Sequence, residues 1–225
     1  MSTTLGFDVY GTLIDTQGVL STLETMIPDR ANDFSKTWRE KQLEYSFRRG
    51  LMQNYVNFSV CTSQALEYTC QLYDLPLTEA QKNKLLASYS TLPAFDDVAQ
   101  GLAQLKEASF RLYAFSNGSR DAIDTLLNNA GIREFFDGVV SCDDIKSFKP
   151  NPAVYGHFMR QSDASCDSAW LVSSNPFDVI GARSAGMHAA WVQRSSSTIF
   201  DPWGIEPTVT IRGLDDLHDK LITSQ

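Results

Sequence analysis

The sequence predicts an α/β fold with a Rossmann-like core, a parallel sheet and an inserted helical cap subdomain. Two observations support this prediction. Short apolar runs alternate with helical stretches over residues 93–225, and this alternation is typical of βαβ units with parallel strands. A long stretch of helical character, residues 15–92, interrupts the pattern directly after the first apolar run. We therefore expect a catalytic core formed by residues 1–14 and 93–225, with residues 15–92 inserted as a cap over one edge of the sheet.

The individual elements are predicted from apolar runs and their boundaries. The first strand covers residues 5–10 and ends at Gly11, which permits a sharp turn. Helices are expected in the cap at residues 34–49, 59–73 and 79–90. In the core, strands at 110–115, 139–140, 169–172 and 188–192 alternate with helices at 98–108, 120–129, 153–160 and 179–185. Gly131 is a natural end for the helix at 120–129, since glycine readily adopts the left-handed conformation there.

Composition and charge argue against several classes of protein. Of 225 residues, 43% are hydrophobic and 20% are charged, which is an ordinary globular composition. The net charge of −8 argues against a nucleic-acid partner, because phosphate backbones are bound by basic surfaces. We find no secretory signal and no apolar run long enough to span a membrane. The cysteines show no Cys-x-x-Cys spacing, so a reduced, cytoplasmic protein without a membrane partner is expected.

Polar side chains follow the predicted strands at the edge where ligands bind in parallel sheets. They are Asp8 at the end of the first strand, Ser116 and Asn117 after the second, Lys149 in a later loop, and Ser173, Asn175 and Asp178 after the fourth. Because the carboxyl ends of parallel strands meet at one edge, these side chains are expected to lie close together. The backbone N–H groups of Val9 and Tyr10 are well placed to bind an anion in the turn after Asp8.

These segments resemble the four motifs of the haloacid dehalogenase superfamily, and the match covers nearly the whole chain. Residues 7–13, FDVYGTL, are similar to the first motif, in which the aspartate is a covalent nucleophile. Residues 116–118, 149–150 and 173–178 are similar to the second, third and fourth motifs. The resemblance therefore implies that Asp8 is the nucleophile of a hydrolase.

The branch of the superfamily is indicated by two positions. A phosphatase of this type carries a second aspartate two positions after the nucleophile, and carboxylates in the fourth motif that help to hold Mg²⁺. This sequence has Tyr10 and Asn175 instead. Together with residues 38–45, WREKQLEY, this pattern resembles the (S)-2-haloacid dehalogenases. The resemblance implies conversion of small (S)-2-haloacids to (R)-2-hydroxyacids through an aspartyl ester, without metal or cofactor, by a homodimer.

The halide released in that reaction needs a positively charged receptor. Arg39 shares one face of a predicted helix with Leu43 and Phe47, at i, i+4 and i+8. An arginine in line with an apolar stripe is not an ordinary solvated charge, so we expect Arg39 to point into the active site. Asn117, Phe58 and Phe177 are further candidates for contact with the halide.

The remaining roles follow from the chemistry of the two steps. The Ser116 hydroxyl and the N–H groups of Val9 and Tyr10 are suited to bind the substrate carboxylate. Lys149 is expected beside Asp8, where its positive charge favours the ionised carboxylate. Asp178 is the candidate base or water-positioning residue.

Three further residues are expected to support these roles. We expect Asp178 to be oriented by Asn175 and hydrogen-bonded to Tyr155. Thr12 is interpreted as support for the loop that carries Asp8, and Ser173 is a candidate catalytic residue of the fourth motif.

A structural interpretation stays open for each of these residues taken alone. Arg39 could pass the edge of the core to a surface carboxylate. Asn175 could cap the following helix, as could Asn117 or Ser119 at an earlier one. Lys149, which precedes a proline, could be an ordinary loop lysine.

One position departs from the resemblance, and two other functions remain as alternatives. Glu40 stands where the family pattern has glutamine, and a carboxylate there could pair with Arg39 and weaken its hold on a halide. Asp143 and Asp144 resemble acids near the third motif but are interpreted as turn residues. A Mg²⁺-dependent small-molecule phosphatase is the main alternative function. A non-catalytic binding protein on the same fold is the other.

Overall fold

The computed structural model describes residues 3–223 and contains, within them, one six-stranded sheet in which every paired strand is parallel. The strands in spatial order are β3, β2, β1, β4, β5 and β6. Their bounds are β1 (Thr4–Phe7), β2 (Arg111–Ser116), β3 (Gly138–Ser141), β4 (Ala169–Ser173), β5 (His188–Val192) and β6 (Val209–Ile211). The predicted α/β class with a parallel sheet is therefore confirmed.

The helices fall into two groups along the chain. The first group follows β1 in the sequence and precedes the helix that leads into β2: α1 (Gln17–Glu24), α2 (Ala31–Leu51), α3 (Phe58–Leu72) and α4 (Glu79–Ser88). The second group connects or follows the other strands: α5 (Val98–Glu107), α6 (Arg120–Asn129), α7 (Pro152–Gln161), α8 (Pro176–Ser184) and α9 (Leu217–Thr223). The 3-10 turn Cys142–Ile145 follows β3.

The centre of the sheet is formed by β1, which is buried along its whole length and pairs with β2 on one side and β4 on the other. Apolar side chains on both faces are typical of a parallel sheet covered by helices. Phe7, the last residue of β1, pairs with Ala114 of β2 and Val172 of β4. This register places Asp8 between the carboxyl ends of two neighbouring strands.

The segment 15–92 leaves and rejoins the core at one place. Ile14 forms an antiparallel bridge with Ala94. Asp15 N donates to Pro93 O at 2.8 Å, and Phe95 N donates to Leu13 O at 3.0 Å. The two chain segments that bound the insertion therefore lie side by side. The division into core (1–14 and 93–225) and cap (15–92) stays a prediction, which this pairing supports.

Several predicted boundaries shift in the structure, and three elements were not predicted individually. The helix predicted at 179–185 begins at Pro176, because proline is favourable at the first helical position. Strand β6 and helices α1 and α9 are additional. Gly11 has φ +81° and Gly131 has φ +69°, as expected for a sharp turn and for the residue after a helix.

The cysteines are free, with Cys61, Cys70 and Cys142 buried and Cys166 exposed. No helix between residues 3 and 223 combines the length and apolar character needed to cross a membrane.

Candidate active site

The Asp8 carboxylate is held in one orientation by three side chains. Oδ2 accepts hydrogen bonds from Thr12 Oγ1 at 2.9 Å and Asn175 Nδ2 at 2.8 Å. Oδ1 accepts from Lys149 Nζ at 3.2 Å. The Asp8 residue is 8% exposed, so it reaches the surface of a cavity from an otherwise buried position. The two oxygens therefore differ: Oδ2 is fixed by two neutral donors, and Oδ1 contacts one cation.

The loop that carries Asp8 is a tight turn. The carbonyl of Val9 accepts backbone N–H groups from Thr12, Leu13 and Ile14 at 3.3, 3.0 and 3.0 Å. The side chain of Val9 is buried in the core, so only its backbone is available to a ligand. Gly11, with φ +81°, allows the chain to reverse between Asp8 and Thr12.

Lys149 lies between two carboxylates and is 2% exposed. Its Nζ donates to Asp8 Oδ1 at 3.2 Å, to Asp178 Oδ2 at 2.8 Å and to Phe115 O at 2.9 Å. Burial disfavours the ammonium, but the charges of Asp178 and Asp8 outweigh it and raise the pKa of Lys149 above its ordinary value. Lys149 is therefore a permanent positive charge in the site, and the interpretation as an ordinary loop lysine is wrong.

Asp178 lies behind Lys149 and is fully buried. Its Oδ1 accepts a hydrogen bond from Tyr155 Oη at 2.8 Å. Burial raises the pKa of Asp178 above its ordinary value, and the nearby Lys149 opposes that rise. A carboxyl group with a raised pKa is a better proton acceptor than an exposed aspartate, as a general base requires.

Asn175 contacts the nucleophile rather than the base. It precedes α8, but its side chain makes no capping hydrogen bond and donates to Asp8 Oδ2 instead. Its backbone carbonyl accepts from Asp178 N at 3.1 Å. The prediction that the Asn175 side chain orients Asp178 is therefore corrected, because that side chain turns toward Asp8.

Ser173 and its neighbour Ser174 support the site from behind. Ser173 is fully buried and its Oγ accepts from Asn175 N at 3.1 Å, so its hydroxyl positions Asn175. Ser174 N donates to Thr12 Oγ1 at 2.9 Å, and Ser174 Oγ donates to Gly11 O at 2.8 Å. The fourth-motif segment is thereby tied to the loop of Asp8.

A small cavity brings together most of the predicted site residues. Its lining consists of Asp8, Tyr10, Arg39, Leu43, Phe58, Ser116, Asn117, Lys149, Asn175 and Phe177. Of the other predicted residues, Thr12, Ser173, Tyr155 and Asp178 contact the lining residues from the protein side. The cavity therefore combines a carboxylate, two cations, polar donors and aromatic edges.

Arg39 enters this cavity from α2, on the same helix face as Leu43. Its Nη1 donates to Gln42 Oε1 at 2.7 Å. Glu40 lies exposed on the helix surface, so the expectation that it could pair with Arg39 is wrong. Phe47, one turn further, packs edge-on against Phe177 with ring centroids 5.0 Å apart. The interpretation of Arg39 as a residue that passes the core edge to the surface is also wrong.

Ser116 and Asn117 lie at the carboxyl end of β2. Ser116 Oγ accepts from Gly118 N at 3.2 Å, and Asn117 Oδ1 accepts from Lys149 N at 2.9 Å. Asn117 thus holds the Lys149 backbone in place. The residue before α6 is Ser119, whose side chain makes no capping bond.

Two residues that sequence reasoning did not select also shape the site. Gln42 is 1% exposed and bonds to Arg39. Arg194 lies in the segment after β5, where its Nη2 donates to Thr12 O at 2.6 Å and its Nη1 contacts both oxygens of Asp97 at 2.7 and 2.8 Å. Neither role leaves a signal in the local sequence, although Gln42 stands within the cap segment singled out by resemblance.

The acids near the third motif lie outside the cavity. Asp143 accepts a hydrogen bond from Tyr55 Oη at 2.5 Å, and Asp144 pairs with Arg120 at 3.0 Å. Both belong to the 3-10 turn after β3, which agrees with their interpretation as turn residues. Within residues 3–223, no three histidine, cysteine, aspartate or glutamate side chains are grouped so that they could hold a metal ion.

Comparisons with known proteins find similar chains of one family. A family model described as haloacid dehalogenase-like hydrolase matches residues 3–186. The chain is 37% identical to (S)-2-haloacid dehalogenase 2 of Pseudomonas sp. (strain CBS-3), over 96% of this chain and 93% of that protein. It is 36% identical to haloacetate dehalogenase H-2 of Moraxella sp. (strain B), over 94% of each.

A solved structure is similar to this chain over nearly its whole length. The structure of L-2-haloacid dehalogenase from Xanthobacter autotrophicus with chloropropionic acid covalently bound has a TM-score of 0.92 to this chain. It is 32% identical and covers 99% of both chains. The likeness thus includes the cap segment, the sheet and all four motif segments.

Proposed function

The chain belongs to the (S)-2-haloacid dehalogenase family of the haloacid dehalogenase-like hydrolases, and from that premise we propose that it hydrolyses small (S)-2-haloacids to (R)-2-hydroxyacids. The observation that carries the proposal is the placement, in one small cavity, of a carboxylate and an arginine that is hydrogen-bonded to a neutral amide. Asp8 supplies the nucleophile and Arg39 the positive charge that a departing halide requires.

In the first step, Asp8 Oδ1 attacks C2 of the substrate and the carbon–halogen bond breaks. Oδ1 is the attacking oxygen because Oδ2 is already bound by Thr12 and Asn175. The electron pair of the broken bond leaves with the halide, which moves to Arg39 and Asn117 between the edges of Phe58 and Phe177. Attack from the face opposite the halide inverts C2.

The substrate carboxylate is held by neutral donors during this step. The Ser116 hydroxyl lines the cavity, and the N–H groups of Val9 and Tyr10 lie in the turn that follows Asp8. Neutral donors can bind the single negative charge of the substrate carboxylate, and unlike a cation they do not form an ion pair with Asp8. Lys149 offsets the negative charge of Asp8 itself. The site therefore suits a small monoanion.

In the second step, water attacks the carbonyl carbon of the aspartyl ester. Asp178 accepts a proton from this water, while Lys149 and Tyr155 hold its carboxylate in place. Thr12 and Asn175 donate to Oδ2, which carries the negative charge of the tetrahedral intermediate, and donors fixed in advance stabilise such a charge. The carbonyl then re-forms and the bond between the carbonyl carbon and Oδ1 breaks, while Oδ1 takes the proton held by Asp178. The hydroxyacid leaves with Oδ1, a water oxygen stays on Asp8, and the Asp8 carboxyl group loses its remaining proton to solvent.

We propose that neither step uses a metal ion, in contrast to the phosphatase alternative. Lys149 supplies a fixed cation between Asp8 and Asp178, and Asn175 presents an N–H donor to Asp8 rather than an oxygen ligand. Tyr10 stands where a phosphatase has its second aspartate. The side chains around Asp8 are therefore poorly suited to the oxygen coordination that Mg²⁺ prefers.

The test is halide release from a panel of chiral 2-chloro- and 2-bromoacids, with and without excess chelator. We expect release from (S)-substrates only, at a rate that chelator leaves unchanged. Release of phosphate from small phosphomonoesters that needs added Mg²⁺ would establish the phosphatase alternative instead. Tight haloacid binding with neither release would indicate a binding protein.

We propose further that the chain is a cytoplasmic homodimer. Leu51 and Met52 at the end of α2 are 87% and 63% exposed. Two adjacent large apolar side chains exposed to this degree favour an interface, and a two-fold dimer would cover them with the same surface of a second copy. Four free cysteines agree with a reducing compartment. Sedimentation equilibrium should give a dimer mass that Leu51→Glu reduces.

A further inference from the structure

The positive charge of Arg39 is bound to a neutral partner. Within residues 3–223, no carboxylate oxygen lies within 4.0 Å of its guanidinium nitrogens, and Nη1 donates to the amide oxygen of Gln42 at 2.7 Å. Gln42 is 1% exposed, although long polar side chains are seldom buried without a reason. The partner of Arg39 is thus a buried amide of fixed position.

The orientation of that amide follows from a chain of hydrogen bonds between α2 and α3. The single proton of the Thr62 hydroxyl is donated to Phe58 O at 3.1 Å. Thr62 Oγ1 can then only accept, and it accepts from Gln42 Nε2 at 2.5 Å. With Nε2 directed to Thr62, Oε1 of Gln42 is left to face Arg39.

The anchor of this chain is itself fixed. Trp38 Nε1 donates to Thr62 O at 2.9 Å, so the backbone at Thr62 is bound to α2 as well. Thr62 and Trp38 are both buried. Phe58, which accepts the Thr62 proton, lines the same cavity as Arg39. The cavity wall and the arginine are thereby connected through three hydrogen bonds.

We propose that Gln42 is a positioning residue that fixes the Arg39 guanidinium while leaving its charge uncompensated for the departing halide. The inference rests on the proposed dehalogenase function and adds a requirement to it. A carboxylate at position 42 would orient Arg39 equally well but would compete with the halide for its charge. An apolar side chain would leave the charge free but the guanidinium unfixed. Only a neutral acceptor of this length meets both needs.

The test compares Gln42→Glu and Gln42→Met with the wild-type enzyme. The first readout is bromide binding by titration calorimetry, which does not depend on turnover. The second is the single-turnover rate of bromide release from (S)-2-bromopropionate. Gln71→Glu, an exposed position on α3, is the matched control for added charge. Thermal unfolding of every variant checks that the fold is retained.

We expect Gln42→Glu to weaken bromide binding by about tenfold or more, because an ion pair at close range offsets the charge of Arg39. Gln42→Met should weaken bromide binding by a smaller factor, about threefold, corresponding to one lost hydrogen bond. The release rate should fall in the same order, while Gln71→Glu matches the wild type in both readouts.

Two results would overturn the inference while leaving the dehalogenase function intact. The first is that the wild type is active and Gln42→Glu binds bromide with an affinity within twofold of the wild-type value. The second is that Gln42→Glu and Gln42→Met lose bromide affinity by the same factor. Failure of the wild type to release halide would instead reject the proposed function. If Gln42→Glu does not fold, the Thr62 variants supply the test. Bromide binding should weaken in Thr62→Val, which cannot accept the hydrogen bond from Gln42, and should match the wild type in Thr62→Ser, which can. Unchanged bromide binding in Thr62→Val would overturn the inference.

Discussion

Replacing Lys149 by methionine removes the cation between two buried carboxylates, and we expect large losses of stability and activity. Methionine has a similar length and is apolar, so the change acts chiefly on charge. Lys149 Nζ lies 3.2 Å from Asp8 Oδ1 and 2.8 Å from Asp178 Oδ2. At an effective dielectric constant of about 20, each pair attracts by about 5–6 kcal/mol.

Most of that attraction offsets the cost of burying the three charges, so the net effect of the substitution is smaller. Removal of one partner of a buried ion pair lowers the free energy of unfolding by about 3–5 kcal/mol. The loss should depend on pH. Burial already raises the pKa of Asp178, and without Lys149 its pKa rises further. A carboxyl group with a raised pKa in the folded state destabilises the fold as pH increases through that pKa.

The assay is urea unfolding of the wild type and Lys149→Met at pH 5 and pH 8. The loss should be larger at pH 8, and Lys149→Met should be inactive at both values. Lys146→Met is the matched control, since Lys146 is exposed and pairs with Asp143 at 3.1 Å. Its effect should stay within about 1 kcal/mol. A loss for Lys149→Met no larger than that of the control, or a loss equal at the two pH values, would refute the reasoning.

Three further predictions concern catalysis. Arg39→Ala should lower kcat by about 10²–10³ with little change in thermal stability, and Arg39→Lys should rescue only part of the loss because an ammonium lacks the planar fork; near-normal turnover would leave Arg39 a structural role. Tyr155→Phe removes a donor that favours the charged form of Asp178, which raises its pKa, so the acid limb of the ester-hydrolysis rate should move to higher pH; a stationary limb would contradict Asp178 as the base. An (S)-2-haloacid should yield only the (R)-2-hydroxyacid by chiral chromatography, and a racemic product would contradict a single displacement at C2.

The fold could be predicted well where apolar runs were long. The strands β1, β2, β4 and β5 are buried segments of four to six residues, and their alternation with helices fixes the parallel sheet. Val209–Ile211 is only three residues long, so it does not stand out as an apolar run. The helix Leu217–Thr223 has only seven residues, and most of its stability comes from packing that the sequence does not display.

The residues of the site could be predicted where they lie at strand ends or in segments that resemble family motifs. Asp8 lies at the end of one predicted strand, Lys149 and Asp178 follow others, and the parallel register brings the three side chains into contact. The partner of each side chain could not be predicted, because it depends on side-chain direction after folding. Asn175 was expected to orient Asp178 but turns to Asp8. The contact of Arg194 with Thr12 joins residues 182 positions apart, and nothing in the local sequence indicates it.

The role of Asp8 as nucleophile is tested most directly by a single turnover in heavy-oxygen water with enzyme in excess over (S)-2-chloropropionate. In the covalent route, water attacks the ester carbonyl, so the product hydroxyl keeps an oxygen that came from Asp8. We therefore predict unlabelled hydroxyacid and one heavy oxygen in the peptide that contains Asp8. If the first-turnover product is fully labelled and the Asp8 peptide is not, water attacks C2 directly. Asp8 is then not the nucleophile, and Asp178 becomes the base for direct hydrolysis.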